Sequence, residues 1–180
     1  MRGKRNIYLV GPMGSGKSAV GRILARMVDA PFRDSDTEIE RRTGVDISYI
    51  FEREGEQRFR QREKEAIEAL TVLEPLVLAT GGGAVLMPEN RTILAQRGCV
   101  VYLMTSVEQQ AYRVSHARHR PLLTNVDAEA KLRQLMLERE PLYCSIADVK
   151  VTTDGRKIQA VAEEIIKALG FPVKGGLKAL

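Results

Sequence analysis

No run of apolar residues in this 180-residue chain approaches the ~20 needed to cross a bilayer. The opening Met-Arg-Gly-Lys-Arg leads into a run too short for a signal-peptide core. The expectation is a cytoplasmic protein without a membrane partner. Cysteine is scarce: Cys99 and Cys144 lie far apart, with no C-x-x-C spacing and no histidine pattern around them, so neither a zinc site nor a disulfide framework is expected. Both read as free thiols, Cys99 entering a strand. Histidine is equally rare. His116 and His119 stand at i, i+3, but no third metal ligand is nearby. Aromatic residues make up 5% of the chain and are not interleaved with the arginines; no helix-turn-helix or RNA-binding signature is visible. The net charge of +5 therefore points to small anionic partners and away from nucleic acid.

The composition that remains is that of a globular protein, with 44% apolar and 28% charged residues. A chain of this length forms one domain that buries roughly 70% of the surface its unfolded state exposes. No internal repeat or second domain is visible; residues 1–170 read as the domain and 171–180 as a loose tail.

The organising stretch is Gly11 to Ser18, Gly-Pro-Met-Gly-Ser-Gly-Lys-Ser, a complete G-x-x-x-x-G-K-[ST] phosphate-binding loop. Glycines at 11, 14 and 16 let backbone N–H groups approach phosphate oxygens. Lys17 adds a mobile cation and Ser18 a hydroxyl for Mg²⁺, while a helix starting near Lys17 turns its positive end on the same anion. The context agrees: Asn6 to Val10 reads as a strand, and Ala19, Val20, Ile23, Leu24 and Met27 recur at helical spacing.

Further along, Pro31 to Asp36 is a short extended segment whose alternation puts Asp34 and Asp36 on one side. A carboxylate there suits the magnesium water shell; helix capping by Ser35 or Asp36 is the other reading. Thr43-Gly44 ends one helix, and another begins near Asp46 or Ser48, is interrupted at Gly55 and continues to Leu70 with Phe59, Ala66, Ile67 and Leu70 inward. Arg60 and Glu63 can pair at i, i+3 on this helix, or Arg60 is ordinary solvated surface. Leu76 to Ala79 reads as a buried strand, followed at once by Gly81-Gly82-Gly83, which marks either a close approach to the backbone or a flexible turn. Pro88 to Arg97 is helical and stopped by Gly98. Val100 to Leu103 is a strand, and Thr105 with Glu108 reads as a capping box. The basic segment from Arg113 to Asn125 fits a mobile flap carrying an arginine over phosphates. Ala128 to Glu140 reads as a helix stopped by Pro141, Val149 to Thr152 as the last strand, and Ile158 to Leu169 as the closing helix.

Five strands alternating with helices predict an α/β fold: a P-loop NTPase-like three-layer sandwich, its five-stranded parallel sheet covered on both faces and its flap forming a mobile lid. The phosphate loop, the acid pair and the glycine triplet each follow a strand, and such positions form one crevice in open α/β sheets. Loop, magnesium-holding acid and flap arginine are the parts of phosphoryl transfer. Asp36 is the candidate to orient an acceptor hydroxyl.

These motifs, with Gly55-Glu56-x-x-Phe59-Arg60, Arg120-Pro121-Leu122 and Arg139-Glu140-Pro141-Leu142-Tyr143, resemble the shikimate kinase family in order and interval over roughly residues 4 to 169. The resemblance implies transfer of the ATP γ-phosphate to the 3-hydroxyl of shikimate, on the route to chorismate and the aromatic amino acids. It implies that Asp36, Arg60, Gly82 and Arg139 hold shikimate, with Gly81 and Gly83 flanking Gly82. Phe51 and Phe59 line that pocket, or else serve only as interior packing, and Glu63 holds Arg60. Gly14, Ser15, Gly16, Lys17, Ser18 and Ala19 take the nucleotide phosphates, and Arg113 and Arg156 lie near the adenine. Lys17, Asp36 and Arg120 carry the catalysis. Mg²⁺ is bound by Ser18 directly and by Asp34 through water. The flap stretch Ser115 to His119 and the turn Thr153 to Arg156 match the family loosely, and the tail has no counterpart. The expected partner is a small molecule, and the expected state a monomer. Two other readings stand beside this one: a P-loop kinase for another acceptor such as gluconate or a nucleoside monophosphate, and a nucleotide switch. Against the switch, Thr124-Asn125-Val126-Asp127 lacks the lysine of a guanine reader.

Overall fold

The computed structural model describes residues 5–115 and 128–172. Five strands, β1 (Ile7–Val10), β2 (Phe32–Asp34), β3 (Val77–Ala79), β4 (Cys99–Met104) and β5 (Val149–Thr152), form one sheet in the order β2-β3-β1-β4-β5. Every pairing is parallel. Parallel neighbours need crossovers, which here run through the helices α1 (Lys17–Val28), α2 (Ser35–Thr43), α3 (Ile47–Leu70), α4 (Pro88–Arg97), α5 (Val107–Ser115) and α6 (Ala128–Ile146), and α7 (Ile158–Leu169) follows the last strand.

Side-chain alternation along the strands sorts the core into two layers. Ile7 and Leu9 of β1 and Val101 and Leu103 of β4 face α1 and α7, packing with Val20, Leu24, Val161, Ile165 and Ile166. Tyr8, Val10, Val100 and Tyr102 face the opposite way, against Ile67 and Leu70 of α3, Leu94 of α4 and Tyr143 of α6. A smaller cluster of Ile39, Ile50, Phe59 and Ala66 joins α2 to α3 beside the sheet. Gly98 ends α4 with an extended φ of −162°, so no left-handed cap requires it. Its lack of a side chain instead makes room for the Tyr8 ring, which a β-carbon would overlap.

Three helix boundaries differ from the sequence reading. Helix α2 starts at Ser35, and its cap is Asp34, whose side chain accepts from the Asp36 N–H at 3.0 Å. Asp36 thus stands in the first helical turn and does not share a strand face with Asp34. The Thr105–Glu108 capping box does not form: Ser106 Oγ accepts from the Gln109 N–H, while Thr105 turns its hydroxyl to Asp154. Pro141 does not stop α6, which runs to Ile146. Pro141 cannot donate to Leu137, four residues back, and both residues are exposed, so water can serve the vacated carbonyl. Gly55 interrupts α3 as expected, with φ 81° and ψ 171° inside an otherwise continuous helix. Of the flap expected at 113–125, Arg113 to Ser115 belong to α5; His116, His119, Arg120 and the rest lie outside the described residues, as does the tail from 173 onward.

Candidate active site

The carboxyl ends of all five strands open on one side of the sheet, and an open cleft of ≈ 840 Å³ lies there. Its lining includes Lys17, Ser18, Asp34, Asp36, Phe51, Phe59, Arg60, Glu63, Gly81 to Gly83, Arg113 and Arg139. Residues up to 126 positions apart in sequence, from Met13 to Arg139, therefore share one cavity.

At one end the phosphate loop joins β1 to α1. Gly14 and Gly16 have φ of 76° and 88°, in the left-handed region that a β-carbon disfavours. Gly16 is the N-cap of α1 and offers no side-chain acceptor, and no acidic residue stands in the first turn. The helix N-terminus is thus open to an anion. Lys17 Nζ donates to the carbonyls of Gly11 at 2.8 Å and Pro12 at 2.7 Å. Ser18 Oγ donates to Asp34 Oδ2 at 2.6 Å. A hydroxyl and a carboxylate in contact, both facing the cleft, are the hard oxygen donors that Mg²⁺ takes while keeping most of its waters. The loop and this pair fit a magnesium nucleotide. Ser15 is fully buried and Ala19 lines the cleft.

Arg113, from the last turn of α5, closes the neighbouring wall. It donates to the Gly14 carbonyl at 2.7 Å and to Thr153 Oγ1 and O, each at 3.2 Å. The turn after β5 is fixed in its own right, since Asp154 accepts from Thr105 Oγ1 at 2.5 Å and the Ser106 N–H at 2.8 Å. Partial burial pushes the Asp154 carboxyl up, but these hydrogen bonds outweigh it and hold the group below its usual range. Arg156 is not part of the cleft lining. It donates to the Thr152 carbonyl and pairs with Glu164 of α7 at 2.5 Å.

The other end is built from α3, α6 and the glycine triplet. Arg60 NH1 donates to Glu63 Oε2 at 2.7 Å, and its NH2 reaches Glu56 Oε1 at 3.0 Å. The Arg60 guanidinium lies 5.2 Å from the centroid of the Phe59 ring, which meets the Phe51 ring at a centroid distance of 4.6 Å and a tilt of 35°. Glu63 is completely buried. Burial pushes its carboxyl above the ordinary value, with Arg60 and then Arg139 pulling it back. Arg139, 9% exposed, projects from α6 with its Nε unpartnered among the described residues. The triplet packs against these groups: a β-carbon on Gly81 would stand 2.5 Å from Glu63 Oε1 and 2.7 Å from Asp36 Oδ1. One on Gly83 would overlap the Arg60 guanidinium. The close approach expected of the triplet is real, and it is made by the chain's own charged side chains.

Sequence reasoning passed over several lining residues, among them Met13, Glu40, Asp46, Ile47 and Ser48. Asp46 is the N-cap of α3, accepting from the Tyr49 N–H at 2.8 Å, and this helix start was visible in the sequence without pointing to a cleft. Tyr143 carries a contact to the triplet that nothing in its spacing signals: its hydroxyl donates to the Gly82 carbonyl at 2.5 Å.

Comparison with known proteins agrees with this geometry. The shikimate kinase family model matches residues 13–170. A shikimate kinase of Legionella pneumophila is 53% identical over 165 residues, covering 92% of this chain and 94% of its own. One from the Acyrthosiphon pisum subspecies of Buchnera aphidicola is 51% identical over 94% of this chain and 98% of its own. Among solved structures, shikimate kinase from Acinetobacter baumannii in complex with shikimate superposes with a TM-score of 0.90 at 48% identity, covering 93% of both chains. A gluconokinase from Sinorhizobium meliloti, with a TM-score of 0.60 at 18% identity over 92% of this chain and 91% of its own, shares the fold alone. With the family model matching most of the chain and relatives about half identical over nearly all of it, the chain belongs to the shikimate kinase family.

Proposed function

We propose that this protein phosphorylates the 3-hydroxyl of shikimate at the expense of ATP, with the nucleotide phosphates at the Gly14–Ala19 end of the cleft and the acid at the Arg60–Arg139 end. The observation that carries this reading is the meeting of Arg60, Arg139 and Asp36 in the same cavity as Lys17. Guanidinium groups suit a carboxylate, and an ionised Asp accepts from ring hydroxyls. Asp36 orients the acceptor hydroxyl toward the loop end. Lys17 exchanges the carbonyls of Gly11 and Pro12 for phosphate oxygens. Ser18 and Asp34 would hold Mg²⁺, which when bound would supply charge neutralisation on the phosphate oxygens.

Phe51 and Phe59 give the acid an apolar wall of two tilted, touching rings. Arg113 adjoins the base-binding side, and Arg156, held by Glu164, supports that turn from behind. Arg120 supplies the flap cation, although it lies outside the described residues. Among the described residues no helix is long and apolar enough to cross a membrane. The same reading takes the protein as a cytoplasmic monomer, since one chain supplies every named side chain.

The test is an assay coupled to ADP release, run with shikimate or gluconate and with or without Mg²⁺. Turnover with shikimate that vanishes on chelation is the expected result. Robust turnover of gluconate beside none of shikimate overturns the assignment.

A further inference from the structure

Tyr143 stands on α6 one turn beyond Arg139, fully buried, with its ring stacked on Tyr102 at a centroid distance of 5.0 Å. Its hydroxyl donates to the Gly82 carbonyl. Burial pushes this phenol well above its ordinary pKa, so it is a donor at any working pH, with the nearby Arg139 guanidinium pulling the other way. The stacked partner offers a contrast within the same core layer, because the Tyr102 hydroxyl is buried with no hydrogen-bond partner among the described residues.

The backbone of the triplet shows what the Tyr143 bond achieves. The Gly81 N–H donates to Ser35 Oγ at 2.9 Å, the Gly81 carbonyl accepts from the Ala84 N–H at 3.1 Å, and the Gly83 carbonyl accepts from the Leu86 N–H at 3.0 Å. With Gly82 held by Tyr143, all three carbonyls are engaged. The N–H groups of Gly82 and Gly83 have no acceptor among the described residues, and both glycines line the cleft. In a trans peptide the carbonyl of one residue and the N–H of the next point in opposite directions. Fixing the Gly82 carbonyl on Tyr143 therefore fixes the Gly83 N–H away from it. Without that anchor the peptide can rotate, exchanging a donor for a carbonyl oxygen in a site that serves an anionic, hydroxyl-rich acid.

We propose that Tyr143 is a positioning residue for the acceptor, orienting the Gly82–Gly83 peptide so that the triplet presents the Gly83 N–H to the acid beside Arg60 and Arg139. The proposal rests on the reading of the cleft given above. It separates a specific role of the hydroxyl from the packing role of the ring, because Tyr143→Phe removes the first and keeps the second.

The experiment compares wild type, Tyr143→Phe and Tyr102→Phe in steady-state shikimate phosphorylation, with nucleotide binding and thermal melting measured in parallel. Loss of a buried hydrogen bond of this kind corresponds to about a tenfold change in an equilibrium constant. The expected result is a rise of about tenfold in KM for shikimate in Tyr143→Phe, with nucleotide affinity within twofold of wild type and Tyr102→Phe kinetically silent. A shikimate KM within twofold of wild type in Tyr143→Phe overturns the proposal. So does an equal loss for both substrates with a lowered melting temperature, which marks a general packing role. The wild-type arm separates the two levels of failure. An inactive wild type removes the substrate assignment and the proposal together, whereas an active wild type with an indifferent Tyr143→Phe removes the proposal alone.

Discussion

Substituting Ala for Gly83 tests the architecture of the acid end with a single methyl group. Gly83 has φ −95° and ψ 1°, which any residue adopts, so the backbone imposes no strain and only the side chain matters. The added carbon would lie 2.5 Å from Arg60 NH1 and 2.6 Å from its Cζ. Ordinary contact is about 3.5 Å, so the guanidinium must retreat by about 1 Å. It cannot do so freely, since NH1 is bonded at 2.7 Å to Glu63, a carboxylate with no exposed surface. Retreat strains or breaks that bond while the more exposed bond to Glu56 survives. Weakening a hydrogen bond between charged groups costs about 2 kcal/mol. For a chain of this size that lowers Tm by roughly 5 °C. On the proposed role of Arg60 in holding the acid, its displacement by a similar energy raises KM for shikimate by about thirtyfold. Nucleotide affinity should hold, because the contacts of that β-carbon are with Arg60 and not with the phosphate loop. Melting curves and kinetics with each substrate varied in turn make the measurement. A Gly83→Ala protein with the wild-type shikimate KM would refute the argument that the triplet is glycine because side chains of the site press against it.

Arg139→Ala should raise the shikimate KM by at least tenfold, the effect of losing a charge-assisted hydrogen bond, while calorimetric titration still finds nucleotide bound. An equal loss of nucleotide binding would contradict the division of the cleft. Asp154→Asn addresses the opposite wall through pH. The folded carboxyl titrates below its unfolded value, so it contributes stability that is present above about pH 4 and lost as pH falls through the folded value. Thermal melts between about pH 2.5 and 6 should show a flatter acid limb in the variant. Parallel curves for variant and wild type would rule out the linkage.

Elements with a strong local signature were legible in the chain itself. The buried runs of β1, β3 and β4, the glycine pattern of the phosphate loop and the Gly55 break in α3 each follow from backbone conformation or from burial on both faces. What local pattern could not decide was competition between acceptors close together. Asp34, Ser35 and Asp36 are all able to cap α2, and Asp34 does so because Ser35 is drawn to the Gly81 N–H just beyond the end of the neighbouring strand β3. Thr105 and Ser106 both suit the start of α5, and Thr105 is taken by Asp154, whose position 49 residues later no local rule supplies. Pro141 misled because a proline is tolerated in a helix whose lost bond falls on the solvent side. Of the site residues, Lys17, Ser18, Asp34, Asp36, Arg60, Arg113 and Arg139 meet in the cleft. Their assembly was visible only as a consequence of strand order, which brings the end of β3 next to the end of β1. The Tyr143 contact with Gly82 spans 61 residues and has no periodic signal at all.

The two ends of the cleft differ in how their cations are balanced, and on the proposed assignment this difference sorts the two substrates. At the loop end Lys17 and Arg113 rest on carbonyl oxygens, with Asp34 as the adjoining carboxylate and an uncapped helix N-terminus adding partial positive charge. A polyphosphate can take these donors over from the carbonyls there. At the acid end Arg60 is already matched by Glu63 and Glu56, and the Asp36 carboxylate lines the same cavity as Arg139. A group with several negative charges would be repelled from that end. A single carboxylate, sharing the guanidinium groups while its hydroxyls donate to Asp36, fits the balance. On the proposed assignment, the carboxylates that pair with the arginines at the acid end keep the nucleotide from binding the wrong way round.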